Sequence, residues 1–326
     1  MASYKSKAKR KIKNKMRKSP IIITIVVILA IIGVLLYAFG DKIGIDLQGG
    51  KQTDTTAPAP SDGEVLFHFI DVGQGDAILV TTQSGNMLID SGDLSSESRD
   101  SLVNYLTAAK VKSFEYVIFT HTDADHIGSA DYIVENYDVK NVIMPDYEAT
   151  TQVYDRLISA MEKKNTNLIL IGEDKEVCKQ SGYTFYIGSM LNTVIAPTED
   201  FNDPNEMSVV LKSTYGETSV MFTGDAEHKS EEAILKEWKA SELKCDVVKD
   251  GHHGSSTSTT QELLDAVAPK IAVISCGEGN KYGHPHNETI KRLEAAGVTV
   301  YRTDMSGTVV LKSDGNTITL HQTTDK

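Results

Sequence analysis

Apolar positions along this chain fall into three regimes. Residues 21–39 are nineteen in a row without a charge. Residues 40–63 turn to Gly, Thr, Asp, Pro and Ser. From Val65 onward, short apolar runs rich in β-branched residues alternate with stretches of helical period. The first run would make a helix about 28 Å long, close to the hydrocarbon thickness of a bilayer. The second reads as a solvated tether.

In the third regime, runs bounded by Gly-, Asn- or Asp-rich turns predict strands over 65–70, 77–81, 86–89, 116–119, 142–144 and 168–171. Further strands are expected over 191–195, 208–212, 219–222, 245–248 and 270–275. Helical spacing predicts helices over 98–109, 129–136, 154–163, 229–239, 261–267 and 287–296. The C-terminal runs 308–312 and 317–321 read as a hairpin about Asp314-Gly315-Asn316. Such mixing predicts an α/β (α+β) body of sheets with helices outside them. No proline-rich break or repeat divides it, so the expected organisation is a basic segment 1–18, an anchor 19–40, a linker 41–63 and one domain 64–326.

Charge sharpens this division. The formal net charge of -12 averages two unlike pieces: residues 1–18 hold nine Lys/Arg and no acid, leaving 24 basic against 45 acidic residues in the rest. Basic flanks stay cytoplasmic, so the N-terminus is expected inside and the body outside the membrane. The alternative is a signal peptide cleaved near Gly40, after which the body is secreted; the run exceeds the roughly 7–15 residues of a secretory core, which favours the uncleaved anchor. One span excludes a channel or transporter built by this chain alone. Three cysteines exclude a disulfide framework or a Cys-rich zinc module.

Six of the nine histidines fall into three clusters after predicted strands or turns. His121-Thr-Asp-Ala-Asp-His126 offers two imidazoles and two carboxylates, from His121, Asp123, Asp125 and His126, a donor set for a divalent metal. Thr223-Gly-Asp225 delivers a carboxylate through a glycine turn. His252-His253-Gly-Ser-Ser256 follows another strand, and a Gly-bounded turn leaves either histidine free to approach a metal. Tyr282-Gly-His284-Pro-His286 is the third cluster; His284 is a candidate for the site, while His286 could simply open the last helix. His68, His228 and His321 stand on predicted strands or helix starts, outside the three clusters, and read as packing or surface residues. Ser255 and Ser256 are candidates for anion contacts, and Asp71, Gln74 and Asp76 for shaping the turn beneath the site.

Together these residues carry a resemblance. From about Val65 to Leu320 the chain resembles the metallo-β-lactamase superfamily, and within it the ComEC-type competence metallohydrolases. Phe69-Ile-Asp-Val-Gly-Gln-Gly-Asp-Ala77 matches that group's opening signature, and Leu88-Ile-Asp-Ser-Gly92 the superfamily's first Asp motif. His121–His126, Thr223-Gly-Asp225 and His252-His253-Gly-Ser255 match the metal motifs in family order. The resemblance implies a four-layer αββα sandwich with a metal site at the sheet edges, hydrolysis by metal-activated water, and Asp225 bridging or orienting the metals. Two departures stand out. Asp123 replaces a histidine, and no histidine occurs from 127 to 227, where a further ligand is usual; Asn205-Glu-Met-Ser208 stands near that place.

The expected metal ligands are therefore His121, Asp123, Asp125, His126, Asp225 and His252 or His253, holding one or two ions of zinc or manganese. Asp125, His252, His253 and His284 are the candidate catalytic groups, with the non-ligand histidine of the pair, or His284, protonating the leaving group. The expected function is an extracytoplasmic, membrane-anchored phosphodiesterase. DNA is the substrate that the resemblance implies, and a small phosphoester is what the acidic body favours, because backbone phosphates call for Lys/Arg. The alternatives are a non-catalytic, metal-stabilised binding module of a DNA-uptake or envelope complex, or an ester or lactone hydrolase.

Overall fold

The computed structural model describes residues 57–172 and 182–324. The basic segment, the expected anchor, most of the linker and Cys178 lie outside them. Among the described residues, no helix is long and apolar enough to cross a membrane.

The described strands form two sheets, numbered here in chain order. The first runs from β15 (Ile318–Thr323) through β14 (Val309–Ser313), β1 (Val65–Phe69), β2 (Ile78–Thr82), β3 (Gly85–Ile89), β4 (Ser113–Ile118) and β5 (Asp138–Pro145) to β6 (Asn167–Ile171). The second runs from β13 (Thr299–Arg302) through β12 (Ile271–Ile274), β11 (Val247–Lys249), β10 (Thr218–Phe222), β9 (Val210–Tyr215) and β8 (Met190–Ala196) to β7 (Thr184–Ile187). Strands β3 to β6 pair in parallel, as do β10 to β13, and the remaining pairs are antiparallel.

Both faces of each sheet are covered, so its inner strands are apolar throughout and their alternation sorts side chains between two cores. On β2 and β3, Ile78, Val80, Met87 and Ile89 enter the core between the sheets, where Phe67, Phe69 and Phe222 also meet. Leu79 and Leu88 point the other way, toward α1 (Ser96–Ala108), α3 (Ala130–Asn136) and α4 (Gln152–Lys164). A third core lies between the second sheet and α5 (His228–Glu237), α6 (Gln261–Val267) and α7 (Asn287–Ala295). These three cores separate four layers, in the order helices, sheet, sheet, helices. Local chemistry sets the helix ends: Ser95 and Thr151 accept the Ser98 and Tyr154 amides at the starts of α1 and α4, and left-handed Asn165 closes α4.

Most predicted elements recur with ends moved by a residue or two. The strands β7 and β13 were not expected. Both are four-residue edge strands, with exposed or half-exposed positions in Thr184, Tyr186 and all of Thr299–Arg302, so neither carries the apolar run that marks an inner strand.

Candidate metal centre

Five chain segments leave the sheets along one rim and converge there. The β1–β2 loop brings Asp76, and the end of β3 brings Asp90. The loop after β4 brings His121 to His126 around the short helix α2 (Ala124–Ile127). The ends of β10 and β11 bring Asp225 and the pair His252-His253. Close approach demands glycine at two of these points. Gly75 (φ +119) lies so near the Asp125 carbonyl that a Cβ would collide with it, and the Asp76 amide donates to that carbonyl at 3.2 Å. At Gly224 (φ +53) a Cβ would come within 2.8 Å of Thr120.

The ligand-bearing backbone is itself strained. Asp90, His252 and His253 hold left-handed φ values of 59°, 46° and 55°. Two successive left-handed residues break the opposite-face alternation of adjacent strand residues. They turn the His253 ring inward, where the residue is 1% exposed, and leave the His252 side chain 25% exposed at the mouth.

Four side chains meet around one point. His126 Nε2 and His253 Nε2 are 3.2 Å apart. Asp225 stands 3.2 Å from the first through Oδ1 and 3.3 Å from the second through Oδ2, and Asp125 Oδ2 is 3.3 Å from His253 Nε2. The opposite ring edges are committed: His126 Nδ1–H donates to Asp90 Oδ2 at 2.8 Å and His253 Nδ1–H to the Ser275 carbonyl at 2.9 Å. Each Nε2 therefore presents a lone pair to the shared point, the tautomer a metal-ligating histidine needs. Asp90 is fixed in turn by the Thr120 amide and hydroxyl at 2.8 and 2.7 Å.

Electrostatics identify what the point is built to hold. Burial opposes charge on both imidazoles, yet Asp225 and Asp90 raise His126, and Asp225 with Asp125 raise His253, well above the ordinary histidine value. This is an anionic cage that favours positive charge between its carboxylates, and a divalent ion satisfies it by displacing those protons. Asp225 Oδ1 and His121 Nε2 are buried without a hydrogen-bond partner, as metal-facing atoms would be. Two imidazoles and two carboxylates, with tautomers fixed from behind, fit a divalent metal.

A model of the metallo-beta-lactamase superfamily matches residues 70–278. The chain belongs to that superfamily. The expected likeness to the ComEC-type group is borne out by curated relatives. ComE operon protein 3 of Bacillus subtilis is 32% identical over 266 residues, covering 76% of this chain and 33% of that protein. Competence protein ComA of Neisseria gonorrhoeae is 29% identical over 252 residues, covering 76% and 32%. The chain thus spans about a third of the length of these relatives. Among solved structures, the metallo-β-lactamase fold protein YhfI of B. subtilis aligns at 13% identity and a TM-score of 0.49, over 77% of this chain and 100% of its own.

The other residues singled out by sequence occupy distinct places in this metallo-β-lactamase centre. The His121 ring packs 4.0 Å from that of His126, and burial pushes its pKa down to about 3, leaving a neutral imidazole. Asp123 is half-buried beside the start of α2, and its carboxyl is raised by burial and by Asp125. His252 turns away from the cage: Nδ1 lies 2.8 Å from Glu227 Oε1, and Nε2 is 3.7 Å from Asp225 Oδ2. His284 packs edge-on against His252 at 5.4 Å, with a pKa pushed down to about 4 by burial and by His252 and His253. It is therefore neutral at neutral pH, which suits it poorly to the proton-donor role considered for it. Ser255 bonds Thr257 within its own turn, and Ser256 bonds His286 of the loop that opens the last long helix. Gln74 Oε1 accepts the Gly277 amide and so ties the β1–β2 loop to the segment after β12.

Three residues exceed what the sequence reading gave them. Asp76 is 1% exposed and reaches both imidazoles from the Nδ1 side, 3.9 Å from His126 and 3.5 Å from His253. Lys249, fully buried, lies 2.7 Å from Asp76 Oδ2; a lysine closing an apolar strand just before the histidine pair was the available signal. Glu227 anchors His252 and follows Asp225 by two residues, too near a recognised motif to stand out alone. Folding adds Glu206 to the adjacent Glu227 as an acidic neighbour of His228.

Proposed function

We propose that the chain is a membrane-anchored, extracytoplasmic phosphodiesterase that works with one or two zinc or manganese ions. The observation that carries this reading is the convergence of His126, His253, Asp125 and Asp225 on one point, with His252 open at its mouth. An ion bound there supplies Lewis acidity and a water whose pKa falls to about 7. The chain's own residues do the rest. Asp90 and the Ser275 carbonyl hold the two ligand imidazoles in register, and Asp225 spans both of them. Burial lowers His252, but its hydrogen bond with Glu227 and the charge of Asp225 outweigh that and favour the imidazolium. Its Nε2 faces the mouth of the site, where it would give its proton to the leaving oxygen. The charge-free run over 21–39 behind nine basic residues supports the anchor and its orientation.

The relatives, a competence protein among them, favour a nucleic acid as the phosphodiester. A small phosphoester is the second reading. It is favoured by the surplus of acid in the body and by the lack of any Lys/Arg run after residue 18. The test is turnover of bis-p-nitrophenyl phosphate and of labelled single-stranded DNA by the full chain with manganese or zinc. Activity on both supports a nuclease, and activity on the small ester alone supports the second reading. Rates no higher than those of an Asp125→Ala control on either substrate sink both.

A further inference from the structure

Four carboxylates surround the two ligand imidazoles, and they are not equivalent. Asp125 and Asp225 face the Nε2 atoms. Asp90 is saturated by three donors, the Thr120 amide, the Thr120 hydroxyl and His126 Nδ1–H. Asp76 differs from all three. It offers an oxygen within 4.8 Å of ligand atoms on His126, Asp225 and His253, so its position alone would admit it to a metal's ligand set. Its Oδ1 receives no hydrogen bond, and its Oδ2 is taken by Lys249.

Lys249 is an unusual residue to find there. Lysine is almost never fully buried unless paired, and this one is 0% exposed on a strand whose other residues, Val247 and Val248, fill the two adjoining cores. Its ammonium has three oxygens around it: Asp76 Oδ2 at 2.7 Å, the Gly224 carbonyl at 3.2 Å and Asp225 Oδ1 at 3.9 Å. Three oxygens, two of them anionic, are the surroundings of a small cation. They tie the β1–β2 loop, the Gly224-Asp225 turn and the end of β11 together.

We propose that Lys249 is the built-in cation of this centre, a positioning residue whose ammonium holds Asp76 out of the ligand set and so confines the divalent ion to Asp125, His126, Asp225 and His253. Without that ammonium, Asp76 becomes an uncompensated buried carboxylate beside the cage, and a bound divalent ion is a cation it can pair with. The inference rests on the metal centre and is independent of the substrate, so it is tested by metal binding rather than turnover.

The experiment measures manganese and zinc dissociation constants of the full chain by competition with a chelating dye, for the wild type, Lys249→Met and Asp76→Asn/Lys249→Met. Lys249→Met is expected to bind manganese about tenfold or more tightly, because a third carboxylate has been released to the ion. The double variant, which deletes both charges, is expected within about threefold of the wild type. A purely structural lysine would give the opposite sign, since its loss would loosen the cage. Weaker or unchanged binding in Lys249→Met therefore overturns the proposal. If Lys249→Met does not fold, the double variant decides: wild-type affinity supports a self-contained pair, and a double variant that also fails to fold or to bind overturns it. A wild-type chain that binds neither ion removes the centre itself and this inference with it, whereas failure of the phosphodiesterase assays leaves it standing.

Discussion

His126 and His253 come from different sheets, 127 residues apart, yet their Nε2 atoms stand 3.2 Å from one another with both Nδ1 atoms already donated elsewhere. Two lone pairs that close repel unless a cation lies between them, and Asp225 closes the same space. The neighbouring His252 takes no part in this arrangement. Replacing His253 by alanine is thus expected to abolish retention of metal through gel filtration, whereas His252→Ala is expected to retain the wild-type content and lose turnover by about 100-fold or more. Metal analysis of the two purified variants checks this. Equal metal loss in both would mean that His252 is a ligand.

Asp90 touches no metal-facing atom, but it fixes the ring that does. Its carboxylate accepts from Thr120 twice and from His126 Nδ1–H, and it sits in a left-handed backbone turn. An amide at this position would turn an N–H toward donors that all require an acceptor. Asp90→Asn is therefore expected to weaken manganese or zinc affinity by about 10- to 100-fold while leaving the protein folded. Chelator competition measures it, and an unchanged affinity would show that His126 needs no such support.

Much of the centre was legible because its ligands come in short runs that end strands. His121 to His126, Asp225 and His252-His253 each follow an apolar β segment within a few residues, and that pattern marks them in one dimension. What the sequence could not carry was direction. Whether His252 or His253 points inward depends on two consecutive left-handed residues, a conformation that neither side chain announces. Nor could it show Lys249 meeting Asp76, a contact between residues 173 positions apart that exists only because the β1–β2 loop folds beneath the end of β11. The edge strands β7 and β13 escaped for a related reason: partly exposed on four residues, they lack the burial that writes a strand into hydropathy.

Glu227 holds His252 from the side opposite the cage. It accepts from His252 Nδ1–H at 2.8 Å and from the Thr257 hydroxyl at 2.7 Å, and the His252 bond holds its carboxyl below the ordinary glutamate value. Glu227→Gln removes the charge that favours the imidazolium and leaves the metal ligands untouched. The expected result is a fall in kcat of about 10- to 100-fold with metal content unchanged, together with a shift of the alkaline limb of the pH–rate profile to lower pH. An unshifted alkaline limb would dissociate Glu227 from proton transfer.

His68 provides a pH test away from the metal. Its ring, fully buried on β1, meets the Tyr105 hydroxyl at 2.9 Å through Nδ1 and Thr81 Oγ1 at 3.1 Å through Nε2. Burial, with a small contribution from His321, pushes its pKa down to about 3, and burial keeps Tyr105 un-ionised by raising it. The unfolded chain takes up a proton near pH 6.5 that the folded chain refuses until about pH 3. Between those values the unfolded state binds more protons, so stability falls as pH falls, by up to about 1.4 kcal/mol per unit, and the loss is complete below the folded value. Glutamine in its place keeps a donor and an acceptor and does not titrate. His68→Gln is therefore expected to lose about 2–3 kcal/mol less than the wild type on going from pH 7 to pH 4.5. The comparison is made by urea denaturation at the two pH values. His121, also held near a pKa of about 3, titrates alike in both proteins and cancels from the difference. Identical losses in the two would mean that His68 is charged inside the fold, against the apolar packing and two neutral partners that surround it.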